Sequence, residues 1–171
     1  MKNSPLKKVL TIVGSTASGK TTLAVEIAKR INGEIISLDS RQVFKGMAIG
    51  TAQPTKKQMA TVEHHLIGCL EPAEFISSGK YASLVKEKIN DILSQNKNPI
   101  ICGGSGLYYR AIQKGIFEGS ISNLKIRNSL ELQYSKNPEF LFNKLKSIDR
   151  KYSKIVHINN KQRLIRALEI Y

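Results

Sequence analysis

Residues 14–22 read GSTASGKTT, and the run from Gly14 to Thr21 fits the spacing G-x-x-x-x-G-K-[ST]. The flanks fit as well. "KKVLTIVG" before it is a short apolar, β-branched run that stops at glycine, the pattern of a buried strand. "KTTLAVEIAKRING" after it sets apolar residues 23, 24, 27, 28 and 31 on one helix face and ends in Asn-Gly. A strand, a glycine-rich turn and a helix in this order commit the chain to a phosphate-binding loop. Backbone N–H groups of Gly14, Ser15, Thr16, Ala17, Ser18 and Gly19 would surround an anion, with the partial positive charge of the helix N-terminus behind them. Lys20 brings a point charge to the outer phosphate. Thr21 brings a hydroxyl for a Mg²⁺ that bridges phosphates. The pattern names a diphosphate or triphosphate and leaves the reaction open.

The rest of the chain continues the alternation. "EIISLDS" reads as a second strand, and "TVEHHLIGCLEP" is rich enough in apolar residues to hold another. "SSGKYASLVKEKINDILSQNKNP" is an amphipathic helix bounded by serines and proline. "PIICGGSG" is a strand running into glycines, and "LYYRAIQKGI" a helix after it. The expected fold class is α/β: a P-loop NTPase-like parallel sheet flanked by helices, with a helical insertion. The core is expected over residues 8–118. The polar, basic, strand-free residues 119–158 are expected as the insertion, and residues 159–171 as a helix returning to the core. That helix, in "NNKQRLIRALEIY", carries apolar residues 164, 165, 168 and 171, with Gln162, Arg163, Arg166 and Glu169 towards the other face.

Charge narrows the partners. The chain has 171 residues with 27 Lys and Arg against 13 Asp and Glu, a formal net charge of +14. Residues 121–171 hold eleven of the basic residues and four of the acidic ones. Such an excess suits a polyanion such as nucleic acid, and equally a solvated basic surface. Cys69 and Cys102 lie in apolar surroundings without metal-ligand spacing, which argues against a zinc site or a disulfide framework. No apolar run approaches a membrane span, and "VLTIVG" is too short for a signal-peptide core. A cytoplasmic protein with no membrane contact is expected.

Two further strand ends bear on the chemistry. Asp39 closes "EIISLDS", and strand C-termini of a parallel sheet open on the same crevice as the phosphate loop. A carboxylate there can hold Mg²⁺ through water, take a proton from a nucleophile, or simply cap the following turn. "CGGSG" at 102–106 reaches the same crevice, with glycines for close approach and the Ser105 hydroxyl. The strand "NPIICGG" has no acidic residue of the kind nucleotide hydrolases place on Mg²⁺. No arginine-rich lid and no water-activating Gln or His stand out. These gaps favour a diphosphate that leaves over a nucleotide that is hydrolysed. His64 and His65 are adjacent, so they point apart on a strand, which favours structure or substrate positioning over metal. Phe44, Phe75, Tyr108 and Tyr109 are expected mainly in packing, and Lys7 and Lys8 in solvent.

Several stretches together resemble the tRNA dimethylallyltransferases, or isopentenyltransferases. They are "GSTASGKTTLA", "GEIISLDSRQVFKGMAIGTAQPT", "HHLIGCLEP", "GGSGLYYRAI" and "INNKQRLIRALEIY", in the family's order over nearly the whole chain. The resemblance implies transfer of a dimethylallyl group from dimethylallyl diphosphate to N6 of an adenine next to the tRNA anticodon. It makes Asp39 the general base, and Thr16, Lys20 and Thr21 the contacts to diphosphate and Mg²⁺. Thr16 is thereby placed with Asp39 in the catalytic set. Contacts to tRNA fall on Asp39, Ser40, Arg41 and Gln42, on Ser105 and Arg127, and on Gln162, Arg163, Leu164, Ile165 and Arg166. A monomer working on tRNA is expected, and the basic second half suits that partner.

Departures from the family pattern are mild within these motifs. Ser15 stands for proline, Ser105 for threonine, Gln53 for lysine and Asn160-Lys161 for Asp-Pro. Members of the family run on past the "RALE" helix. The resemblance therefore implies a C-terminally truncated member, with impaired activity, marginal stability and an apolar helix face lacking its neighbour. Rival readings are an adenylate isopentenyltransferase, a P-loop small-molecule kinase with Asp39 as base, and an inactive remnant.

Overall fold

The computed structural model describes residues 8–115 and 123–171. The chain divides into two compact units after Gly115. The expected boundary at 118–119 lies outside the described residues, as does Lys7.

The first unit is a four-stranded parallel sheet in the order β1-β4-β2-β3, built from β1 (Leu10–Val13), β2 (Gly33–Leu38), β3 (His64–His65) and β4 (Asn98–Gly103). β2 and β4 are buried along both faces, as central parallel strands are, and their sequences are correspondingly continuous in apolar residues. β1 differs from the expected buried strand. Among the described residues it pairs only with β4, and Val13 at its end is 53% exposed. Edge position, not composition, sets that exposure. β3 is two residues long, the minimum of what "TVEHHLIGCLEP" promised.

Helices α1 (Lys20–Ile31), α2 (Lys56–Thr61), α3 (Ser78–Ser94) and α4 (Gly106–Lys114) surround the sheet. α1 ends at Asn32, held at φ 52, the left-handed stop that Asn-Gly signals. α2 was not expected. Its start is a capping box, in which Thr55 accepts from the Gln58 N–H and the Gln58 side chain accepts from Thr55 N. On one side of the sheet Ala24, Val25 and Ala28 of α1 pack on Ile35 and Ile100. On the other, Tyr81 and Val85 of α3 pack on Ile36, Leu38 and Ile101. The Tyr81 ring stacks on Tyr108 with centroids 4.2 Å apart, and its hydroxyl donates to Ser37 O at 2.5 Å.

The second unit is all helix: α5 (Leu124–Lys136), α6 (Pro138–Ile148), α7 (Arg150–Ser153) and α8 (Lys161–Ile170). Asn137 both ends α5 and caps α6, accepting from Phe140 N at 3.0 Å, with Pro138 at the first helical position. Leu130, Leu141, Leu145 and Val156 form one core with Leu164, Ile165, Ala167 and Leu168 of α8. Of the apolar face expected on α8, Leu164, Ile165 and Leu168 pack against α5 and α6, while Tyr171 is 70% exposed. The Glu169 side chain is also buried, accepting from Asn123 N at 2.8 Å and from Arg166 Nη1 at 2.7 Å.

Candidate phosphate and proton-transfer cleft

The C-terminal ends of β1, β2 and β4 open on one cleft of about 230 Å³. Most of its lining comes from three chain segments that the sheet brings together. Residues 16–22 supply the phosphate loop and first turn of α1. Asp39 and Gln42 come from the turn after β2. Cys102, Gly103 and Gly104 come from the end of β4.

The loop is shaped by backbone conformations that its sequence permits. Gly19 precedes α1 at φ 79, in the left-handed region where glycine meets no penalty. Ala17 also sits left-handed, at φ 61, the cost of a non-glycine in a tight anion loop. No side chain caps α1, so its first N–H groups are left for a ligand. Lys20 Nζ donates to the Ser15 carbonyl and to Ser18 Oγ, the latter at 3.3 Å, which holds the ammonium over the loop. Gly14 and Ser15 belong to the loop without lining the cleft.

Gly103 is required by contact. A Cβ there would lie 2.2 Å from Leu38 O, inside the backbone of β2. The close approach lets Leu38 O accept from both Gly104 N and Ser105 N at 3.1 Å, which fixes the end of β4 against Asp39's strand. Cys102 lies at the foot of the cleft. Burial pushes its thiol up, against the pull of Lys20, so it stays protonated and uncharged.

Of the roles left open for Asp39, the structure shows the turn cap. Its Oδ1 accepts from Arg41 N at 2.8 Å and Gln42 N at 3.2 Å, an Asx-type turn that stops β2 and fixes the carboxylate. Oδ2 takes no part in that turn, and Asp39 lines the cleft. Ser40 and Arg41 are exposed beyond the turn. Ser105 caps α4 by position, but its hydroxyl makes no cap bond. Thr21, Thr16 and Asp39 offer hydroxyl and carboxylate oxygens, the donor set that suits a hard cation such as Mg²⁺.

The other predicted contacts lie on the helical unit. Arg127 reaches Glu131 at 3.4 Å and Arg166 reaches Glu169. Gln162 and Arg163 are exposed. Leu164 and Ile165 are buried in the helical core. Tyr108 is buried in packing, Phe44 and Tyr109 pack partly buried, and Phe75 is exposed. His65 Nε2 lies 2.6 Å from Glu34 Oε2, and His64 Nδ1 lies 2.7 Å from Val62 O. No group of three His, Cys, Asp or Glu able to hold a metal occurs among the described residues. None of their helices is long and apolar enough to cross a membrane.

Sequence reasoning missed the wall formed by Thr51 and Ala52, which also line the cleft. The only local signal was a glycine pair, Gly46 and Gly50, that marks a compact loop.

Comparison with known proteins agrees with this geometry. The sequence model of the IPP transferase family matches residues 42–171. A tRNA dimethylallyltransferase of Acetivibrio thermocellus is 45% identical over 168 residues, covering 97% of this chain and 54% of that protein. One from Thermodesulfovibrio yellowstonii is 42% identical, covering 96% and 52%. The crystal structure of a eukaryotic dimethylallyltransferase acting on tRNA superposes with a TM-score of 0.81 at 31% identity, covering 96% of this chain and 41% of that one. The tRNA isopentenylpyrophosphate transferase of Bacillus halodurans gives 0.63 at 41% identity, covering 95% and 55%. This chain thus spans about half the length of the curated relatives it matches. With a phosphate loop and a strand-end carboxylate on a parallel sheet, and that family's sequence over most of its length, the chain belongs to the IPP transferase family.

Proposed function

We propose that this chain acts in the transfer of a dimethylallyl group from dimethylallyl diphosphate to N6 of an adenine next to a tRNA anticodon. The observation that carries the reading is the meeting of Asp39 and the phosphate loop in one cleft of a family member. A base and an anion grip sharing a space of that size suit a reaction in which a diphosphate leaves as a proton is removed.

The C1–O bond of the donor breaks, and its electron pair leaves with pyrophosphate. Loop N–H groups and Lys20 absorb the charge that grows on the leaving oxygen. The allylic carbon becomes electron-poor and is taken by the adenine N6 lone pair. Oδ2 of Asp39 receives the N6 proton, so the product amine is neutral and the carboxyl is protonated until solvent relieves it. Thr16 contributes a hydroxyl to the diphosphate oxygens. Thr21, with Asp39 through water, would hold a Mg²⁺, which when bound neutralises part of the diphosphate charge. The adenine must leave its stack to enter the cleft. Phosphates of the stem suit the exposed basic residues of the helical unit, Arg163 among them, and the exposed Arg41 of the sheet unit.

The test is label transfer. The chain is incubated with dimethylallyl diphosphate labelled in the prenyl group plus tRNA, and separately with γ-labelled ATP plus small acceptors. Prenyl label in tRNA supports the reading. Prenyl label on AMP or ADP when either replaces tRNA in the first mixture, or phosphate label moved from ATP in the second, replaces it with one of the other two enzyme classes.

A further inference from the structure

We propose that Gln42 is a positioning residue, whose carboxamide fixes the backbone of Thr51 and Ala52 as a wall of the phosphate cleft. The clamp is read from the structure alone. Its effect on catalysis rests on the prenyl-transfer reading above.

The hydrogen-bonding capacity of the side chain is the first argument. A carboxamide has two N–H donors and one carbonyl oxygen. Gln42 Nε2 donates to Thr51 O and to Ala52 O, each at 3.1 Å. Its Oε1 accepts from Ser37 Oγ at 3.1 Å. Both donors are therefore committed inside the protein, and a direct contact from them to RNA would have to break the wall. The main chain of Gln42 is committed too. Its N–H donates to Asp39 Oδ1, and its carbonyl accepts from Gln53 Nε2 at 2.9 Å and Gly68 N at 2.8 Å.

The loop at the other end needs such a hold. Residues 47–53 fold on themselves, with Thr51 Oγ1 and N both donating to Met47 O and Gln53 N donating to Ala48 O. Ala52 is left-handed at φ 49, a conformation an L-residue keeps only when its surroundings enforce it. Ile49 at the tip is 100% exposed, so apolar packing does not anchor the tip. The anchors are polar. Gln42 holds the loop from beneath, and Gln53 holds it from within by donating to Gln42 O and to Phe44 O at 3.3 Å. Thr51 and Ala52 then face the cleft beside Asp39. Through one residue the wall and the base share a turn, because Gln42 N also binds the Asp39 carboxylate.

The test is Gln42→Glu. Glutamate can still accept from Ser37 but has no N–H for the two carbonyls, and it sets a negative charge against them. Hydrogen–deuterium exchange at the amides of Thr51 and Gln53 should quicken at least about tenfold. Gln42→Leu, which removes the same two donors without adding charge, should quicken the same amides and carries the test if the first variant does not fold. In the transfer assay, Gln42→Leu should lower kcat by about 10–100-fold, the scale of a small misplacement of reacting groups, with a smaller effect on donor KM. Unchanged protection of Thr51 and Gln53 overturns the assignment, whether or not RNA binding weakens. Unchanged kcat with a loosened loop overturns its catalytic part. Failure of the unsubstituted chain to transfer the prenyl group would count against the function above and leave the exchange result standing.

Discussion

Asp39 Oδ1 accepts the backbone N–H of Arg41 at 2.8 Å, so the carboxylate that faces the phosphate loop is also the cap of its own turn. Cap and base can be separated by two substitutions. Asp39→Asn keeps an oxygen for the turn and loses the ability to take a proton. Transfer should fall by about 10²–10⁴ with the thermal transition nearly unchanged. Asp39→Ala should lose the same activity and, in addition, about 1 kcal/mol of stability for the unmade turn bonds. Steady-state kinetics and thermal unfolding of the pair check this. Normal turnover in the asparagine variant would reduce Asp39 to a cap.

Lys20 should act on binding and rate together. Its ammonium spans Ser15 and Ser18 above the loop, where the growing charge of pyrophosphate would lie. Lys20→Ala is expected to weaken pyrophosphate binding and to lower transfer by about 10²-fold. Calorimetric titration with pyrophosphate and the label assay measure the two effects. Unaltered pyrophosphate affinity would move the donor site elsewhere.

Gly103→Ala tests packing at the cleft. The added Cβ would enter the Leu38 backbone, which cannot swing aside as a flexible side chain can. A loss of at least about 1–3 kcal/mol is expected, the range for overpacking a well-filled site. The amides of Gly104 and Ser105 should lose protection with it, since both donate to Leu38 O.

Neighbours on α8 should behave oppositely. Leu164 is fully buried, and Leu164→Ala should cost about 2–5 kcal/mol. Arg163 next to it is exposed, so Arg163→Ala should leave the melting temperature unchanged. If RNA phosphates bind there, it should also reduce the salt slope of tRNA binding by about one. Unfolding curves and titrations at two salt concentrations decide both.

Acid should weaken the sheet unit in two stages. Nδ1 of His64 faces a carbonyl, so it carries the ring proton, and Nε2 is buried without a partner. Burial, outweighing the Val62 carbonyl and Glu63, holds its pKa below 6.5. The folded state resists a proton that the unfolded chain accepts, so stability present above pH 6.5 declines as pH falls below it. Burial would raise the Glu34 carboxyl, but hydrogen bonds from Lys97 and His65 prevail and hold it below 4.5. Its contribution is present above 4.5 and is lost as pH falls through the lowered value. His64→Phe should flatten the first decline, and Glu34→Gln the second. Chemical denaturation from pH 7 to pH 3 reads both.

The phosphate loop was legible because its residues are contiguous and its flanks switch from strand to helix period. The meeting of residues 16–22 with Asp39 and Cys102 to Gly104 followed from one rule about parallel strand ends. What escaped were relations of register and capping. Nothing in "LTIV" says that β1 takes an edge among the described strands. The apolar face of α8 was visible, but which helices cover it is a fact of packing. The wall at Thr51 and Ala52 depends on two glutamine side chains, residues with no positional signature. By contrast, the start of α2 was written in the Thr55–Gln58 capping box, a local signal that could have been read.

Asn137 serves two helices at once, closing α5 and opening α6 with no residue to spare between them. The junction therefore fixes a phase. One inserted residue after Asn137 would turn α6 by about 100° about its axis. Leu141 and Leu145 would swing out of the core they share with α8, and charged neighbours such as Lys144 would take their place. Length changes should thus be far less tolerable at this joint than most substitutions of its surface residues, although it lies at a helix end where loops usually absorb them.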